Sequence, residues 1–317
     1  MVEIRKNKKR TLLVGADHTL KRQSAICKSK GEIVFDIVNT VFMLFVLFVT
    51  LYPFWEQLVL SFSSGYSVYD GGIKLWPKEF SLEAFQVAFE YDAIWTGYRN
   101  TILRAAIGTV FSLTVSTMLA YPLSKREMPG CRFVTKMLIF TMLFSGGMIP
   151  SYLLIKTLNM LDTIWALILP TAITAWNVFI LRNFFMSIPK EIEESVSMDG
   201  GGWYTIFFKF VLPLSKPVLA TVGLWIMVAH WNNWLDALLY IRTPSKQVLQ
   251  IVLRNILVVN DMTDINNVMN ETSRSVDLTG PTLKAAVVMM SVLPMLIVYP
   301  FIQKYFTKGV MLGSVKG

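Results

Sequence analysis

Histidine and cysteine are scarce in this chain of 317 residues, with two of each, and their scarcity removes most of the chemistry an enzyme of this size would use. His18 lies in a basic N-terminal segment. His230 lies in a long apolar stretch where only Asp236 offers a second group of metal-ligating type, whereas a zinc site needs three or four such ligands at suitable spacing. The simpler reading of His230 is a polar residue packed inside a helix bundle. Cys27 and Cys131 both fall in segments expected on the cytoplasmic side, so neither a disulfide nor a thiolate metal site is expected. No G-x-x-x-x-G-K-[ST] run occurs, which excludes ATP binding by a P-loop. Any energy the protein consumes must therefore be supplied by another subunit. Charge is also sparse, at 16% of residues against 54% hydrophobic, too little for the surface of a soluble domain.

What the chain has instead is length of apolar sequence. Crossing a hydrocarbon core takes roughly 20 mostly apolar helical residues, and six stretches qualify, at approximately 33–60, 100–124, 136–157, 161–185, 217–241 and 282–306. Their length and lack of period-two alternation make them helices, and in lipid each must satisfy its own backbone. The first could be taken for a signal peptide, but it exceeds a signal core and shows no clear small-residue cleavage site. It reads as a retained span.

Lysine and arginine then set the expected orientation, because they accumulate in cytoplasmic loops. The first 32 residues, the "SKREMPGCRFVTK" loop, the segment 182–216 and the tail fall on one side of a six-span chain and hold 20 of its 30 basic residues. Both termini are thus expected in the cytoplasm. The net charge of +9 follows from topology and requires no nucleic acid. The expected organisation is a basic segment at 1–32 and one all-α membrane domain at 33–317.

Between spans four and five the pattern is interrupted by "EESVSMDGGGWYTIFFKFVLPL", residues 193–214. Pro189 suits a first helical turn, and Glu191, Glu193 and Glu194 lie near the positive end of the helix dipole. Ile188, Ile192 and Val196 form one apolar stripe, Gly200 to Gly202 end the helix, and Trp203, Phe207, Phe210 and Val211 form a second stripe. The two short helices are left three places for these stripes: the ends of the spans, the lipid interface, or a groove in a partner.

The order Glu194-Ser195-Val196, three residues, Gly200, nine residues, then Phe210-Val211-Leu212-Pro213 resembles the coupling loop of permease subunits in bacterial ABC importers. It departs from that pattern at Ser195 and Val196, where alanines are usual, at Gly201, and at Phe210 in place of isoleucine. With "SIPKEIEES", "LPLSKPVLAT" and the ending "YPFIQKYFTKGVMLGSVKG", the chain is similar over nearly its whole length to sugar permeases related to the smaller maltose-transporter subunit. The likeness is greatest to the branch serving complex oligosaccharides of the pectin or alginate type.

This resemblance implies an oligosaccharide permease in the bacterial cell membrane, working with a second homologous permease, two ATPase subunits that hold ATP and Mg, and an extracytoplasmic solute-binding protein. No cofactor is implied for this chain. The coupling loop would be 187–214, with Glu193, Glu194, Ser195, Asp199, Gly200, Leu212 and Pro213 as its key positions. Glu194 would meet the ATPase, Gly200 would be the hinge, and Asp199 would cap or pair locally. The tail 307–317, through Gly313, Lys316 and Gly317, would be a second ATPase contact. Competing readings are an ABC permease for a non-sugar solute and an integral membrane enzyme.

For the cargo, "HWNNWLDALLY" at 230–240 places Trp231 and Trp234 beside Asn232 and Asn233. Indoles stack on pyranose C–H faces, and amides both donate to and accept from hydroxyls. An interfacial aromatic belt and helix-bridging asparagines would explain the same residues. Trp176 and Asn177 are a weaker pair of the same kind. "FSGGMIPSY" at 144–152 suggests a kink or a site of close packing, and the polar 242–281 loop is expected outside.

Overall fold

The computed structural model describes residues 29–64, 71–125, 127–257 and 280–309. These are almost entirely helical, and the β pairing among them is an isolated bridge between Ser63 and Phe80. The chain divides after Glu56 into two compact units. The first contributes most of α1 (Lys30–Ser61), which is apolar on every side, as a helix facing lipid or protein all round must be. Its hydroxyls bond internally, Thr40 Oγ1 donating to the Asp36 carbonyl at 2.6 Å and Thr50 Oγ1 to that of Val46 at 2.8 Å.

The second unit is built around α3 (Asp92–Ser124), a helix of 33 residues preceded by the short α2 (Glu83–Glu90). Then follow α4 (Cys131–Leu143), α5 (Met148–Thr157), α6 (Ile164–Ile168), α7 (Ala175–Met186) and α8 (Lys190–Met198). They are succeeded by α9 (Trp203–Leu214), α10 (Lys216–Asn232), α11 (Leu235–Tyr240), α12 (Leu249–Leu257) and α13 (Gly280–Gly309).

Three stretches, α1, α3 and Gly280–Val298 of α13, are long and apolar enough to cross a membrane unaided, and three bent helix pairs bring the possible total to six. The apolar stretches expected at 136–157, 161–185 and 217–241 are each broken, the first at the glycines, where a kink is one of the two readings. In the first, α4 and α5 meet at 118° because Gly147 takes φ +90, a conformation open to glycine alone at low cost. In the second, α6 ends in a turn at Leu169–Thr171 and α7 restarts at 55°, since Pro170 cannot donate to the helix ladder. In the third, α10 stops at Asn232 and α11 restarts at Leu235. The helix that carries the stretch expected at 100–124 begins earlier, at Asp92.

Glycines let α3 sit close to its neighbours, the usual route to tight packing where lipid supplies no hydrophobic drive between helices. A Cβ on Gly97 would lie 2.9 Å from Leu249 Cα, and one on Gly108 would lie 2.6 Å from His230 Nε2. His230 is thus a buried packing residue over Gly108. Two main cores result. Near Ser124, Tyr121, Val178, Leu181 and Phe185 pack with Val196, Phe207 and Val211. Toward the start of α3, Ile94 packs with Trp231, Leu249, Leu253, Leu283 and Met290.

Candidate functional site

The loop between α7 and α10 has two unlike faces. At its elbow Gly200 takes φ +81, the Gly200 N–H donates to the Ser197 carbonyl at 3.0 Å, and the Gly201 N–H to that of Val196 at 2.8 Å. This paired arrangement is the glycine-ended helix stop called a Schellman motif. A Cβ on Gly201 would sit 2.8 Å from the Val196 carbonyl oxygen and 2.6 Å from its Cγ1. Gly201→Ala should therefore cost about 1–3 kcal/mol, read as a lower melting temperature of the solubilised protein. Adding Val196→Ala should restore only the part due to Cγ1, and an unchanged melt in Gly201→Ala would refute the crowding.

Residues 206–211 wind as a π-helix inside α9, with more residues per turn than an α-helix. The second stripe is not the one expected. Ile206, Phe207 and Val211 are buried, while Trp203, in the α turn before the π-helix, is 67% exposed and Phe210, within it, is also exposed. Val196, Ile206, Phe207 and Val211 join the core at the end of α3. There the Tyr121 ring packs, tilted, against Phe207 at 5.0 Å, and Lys125 binds the Glu193 carboxylate while lying over the Tyr121 ring.

The opposite face carries Glu194, Ser195, Met198, Asp199, Trp203, Tyr204 and Phe208, all exposed. Glu194 makes no hydrogen bond or ion pair among the described residues. Of the two local roles expected for Asp199, capping and pairing, it stands at the C-cap of α8 with its backbone N–H donating to the Ser195 carbonyl, and its carboxylate pairs with nothing among the described residues. Pro213 is exposed and Leu212 half-buried. Gly313, Lys316 and Gly317 lie outside the described residues.

The break after α10 forms a second polar centre. Arg104, 1% exposed, reaches across from α3. Its Nη1 donates to the Asn233 carbonyl at 2.9 Å and its Nη2 to the Asp236 carboxylate, while its Nε has no partner. Asp236 also accepts from Asn233 Nδ2 at 3.0 Å and from the Ala237 N–H at 2.7 Å. The guanidinium thus caps the carbonyl end of α10 and the start of α11 together.

Downstream, residues 241–249 form a strap held from two sides. Asn100 Nδ2 donates to the Ser245 and Gln247 carbonyls, each at 2.9 Å, and Thr101 Oγ1 accepts from the Leu249 N–H at 2.9 Å. On the other side Asp162, in the turn before α6, accepts from the Thr243 hydroxyl and from the Arg242 and Thr243 N–H groups, each at 3.0 Å. The Thr243 hydroxyl, then its N–H, hold the Asp162 carboxyl down to about 2.

No protein-family model matches the chain. Individual proteins do. It is 41% identical over 283 residues to the polygalacturonan/rhamnogalacturonan transport system permease protein YtcP of Bacillus subtilis, covering 89% of this chain and 98% of that one. This chain belongs to the ABC sugar-transport permeases. Protein LplC of the same organism is 40% identical over 91% of this chain and 97% of its own length. A chain from the crystal structure of a bacterial ABC transporter involved in the import of the acidic polysaccharide alginate superposes with a TM-score of 0.83. It is 33% identical and covers 88% of this chain and 99% of that one.

The protein is therefore a permease subunit, a class that is not itself enzymatic. Of this permease's sequence-nominated cargo residues, Trp231 is buried against Tyr98, and the Asn233 amide and carbonyl are both engaged in the break. Asn232, Trp234 and Trp176 remain exposed, and Asn177 is half-buried. The break thus uses alternate residues for structure and leaves the others outward. Arg104 escaped the sequence reading although it is a charge inside an apolar stretch, which is itself a signal for function in a membrane segment. Lys125 was read only as a topogenic charge. Its pairing with Glu193 spans 68 positions and has no local signature.

Proposed function

We propose that this permease imports oligosaccharides, uronate-rich ones in particular, across the bacterial cell membrane by six spans with both termini in the cytoplasm. Its working assembly contains a second permease, two ATPases and an extracytoplasmic binding protein. The observation that carries the reading is the two-faced loop 187–214, in a chain whose relatives include transporters of polygalacturonan/rhamnogalacturonan and alginate. Polygalacturonan and alginate are both built of uronic acid residues.

The inner face of the loop is fused to the end of α3 by Lys125, Tyr121 and Phe207, so a push on the loop moves α3 without first deforming the contact. The outer face offers Trp203, Tyr204, Met198 and Phe208 around the unpaired Glu194, the pattern of apolar anchors with a charge that docks into a groove. Each ATPase closure would then rotate the bundle as a rigid body, exchanging outward for inward access. ATP and Mg stay on the partner subunits. The apolar sides of α4 and α5, with Phe133, Met137, Phe140, Phe144, Ile149 and Leu154 exposed, suit lipid and the second permease.

The test is reconstitution of the full transporter in vesicles. Binding protein loaded with oligogalacturonate should stimulate ATP hydrolysis and sugar accumulation together. Absence of stimulation by any oligosaccharide would overturn the reading.

A further inference from the structure

The proposed cargo leaves one chemical requirement unmet by Asn232 and Trp234: a uronate carries a negative charge at every ring, and neither side chain is cationic. Arg254 supplies the cation. It projects from α12, whose other side is buried through Leu249, Val252, Leu253 and Ile256, and its guanidinium carbon lies 5.2 Å from the centre of the Trp234 ring. It makes no hydrogen bond or ion pair among the described residues. Three other arginines of this unit are committed to polar partners, Arg104 to Asp236, Arg182 through Nε to the Leu123 carbonyl at 2.8 Å and Arg242 to the Tyr152 hydroxyl at 2.6 Å, while Arg99 and Arg132, like Arg254, make none among the described residues.

A guanidinium lying over an indole ring makes a cation–π contact that uses none of its N–H donors. These lie in the plane of the group and stay available to a carboxylate. The contact also fixes the orientation of a long side chain in advance, which lowers the entropic cost of binding. Trp234 keeps 40% of its surface exposed, and Asn232, two residues earlier, is exposed as well. Asn232 and Trp234 thus flank the break after α10, and the cation lies over the second of them.

We propose that Arg254, held on Trp234, binds the carboxylate of uronate residues in the cargo, with Trp234 and Asn232 contacting the sugar ring. The proposal rests on the oligosaccharide reading above and deepens it to a preference for acidic over neutral sugar. A charge-assisted, two-pronged contact favours the acid, whereas a methyl ester of the same ring keeps the stacking and loses the ion pair.

Equilibrium binding of trigalacturonate and of its methyl ester to the complete transporter in nanodiscs, without binding protein, tests this. The wild type should prefer the acid by about tenfold, a ratio corresponding to about 1.4 kcal/mol. Arg254→Gln should erase the preference by weakening the acid alone, and Arg254→Lys should retain part of it. A preference intact in Arg254→Gln, or none in the wild type, overturns the assignment, as does binding of neither sugar. Independently of any variant, trigalacturonate should protect Arg254 of the wild type from an arginine-modifying dicarbonyl, read by mass spectrometry. Unprotected Arg254 sinks the proposal. A transporter that still accumulates oligogalacturonate while failing these tests loses only this site, whereas one stimulated by no oligosaccharide loses the functional reading itself.

Discussion

Asp236→Ala should prevent the permease from accumulating in folded form. The substitution leaves the Arg104 guanidinium buried with a carbonyl as its one remaining partner, because its Nε is already unpaired. Removing one member of a buried ion pair costs about 3–5 kcal/mol, a large part of the roughly 5–15 kcal/mol by which a typical folded domain is stable. The Asn233 amide and the Ala237 N–H lose their acceptor too. Neutralising both sides should be far milder, since an apolar pair of similar volume requires no buried charge. Arg104→Met with Asp236→Leu is therefore expected to recover most of the folded protein, in a double-mutant cycle read by fluorescence-detected size exclusion. Wild-type amounts and melting of Asp236→Ala would show that the pair is not the clamp described here.

Glu194→Lys should reduce sugar uptake by at least tenfold while leaving membrane insertion and melting unchanged. Glu194 is exposed and makes no ion pair within the described residues, so reversing its charge disturbs nothing inside the permease; the loss must arise at a partner surface. Charge reversal at a docked ion pair costs several kcal/mol. The neighbouring Glu193→Lys should also stop uptake, for another reason. It sets two cations together at Lys125 and loosens the loop from α3. Combining it with Lys125→Glu should restore uptake in that variant, but Lys125→Glu should not rescue Glu194→Lys. The two carboxylates, adjacent in sequence, are thus separable into an inner and an outer function by uptake and binding-protein-stimulated ATPase. Normal uptake in Glu194→Lys would remove the outer assignment.

The two neighbouring glutamates also show how far the sequence could be read. Their spacing to Gly200 and Pro213 identified the loop, and the glycines located its elbow, because a left-handed helix stop is a local property with a residue preference. Which glutamate faces inward was not legible. That depends on Lys125, brought near by the packing of α7 and α8 on the end of α3. The same holds at 230–240. Two tryptophans and two asparagines looked equivalent in the sequence, yet Trp231 and Asn233 are consumed by the fold while Asn232 and Trp234 remain exposed.

Apolar length, charge bias and glycine placement are summed over neighbouring residues, so the sequence by itself determined a helical membrane protein, its long apolar segments, the loop between the fourth and fifth, and the family resemblance that the relatives bear out. The breaks in the fourth and fifth of those segments, the Arg104–Asp236 clamp, the Lys125–Glu193 tie and the placing of Arg254 over Trp234 were decided only by the tertiary structure. Each depends on which helix face meets which, and the two ion pairs join residues 132 and 68 positions apart. The pairing energy of such groups exists only once the helices that carry them have packed.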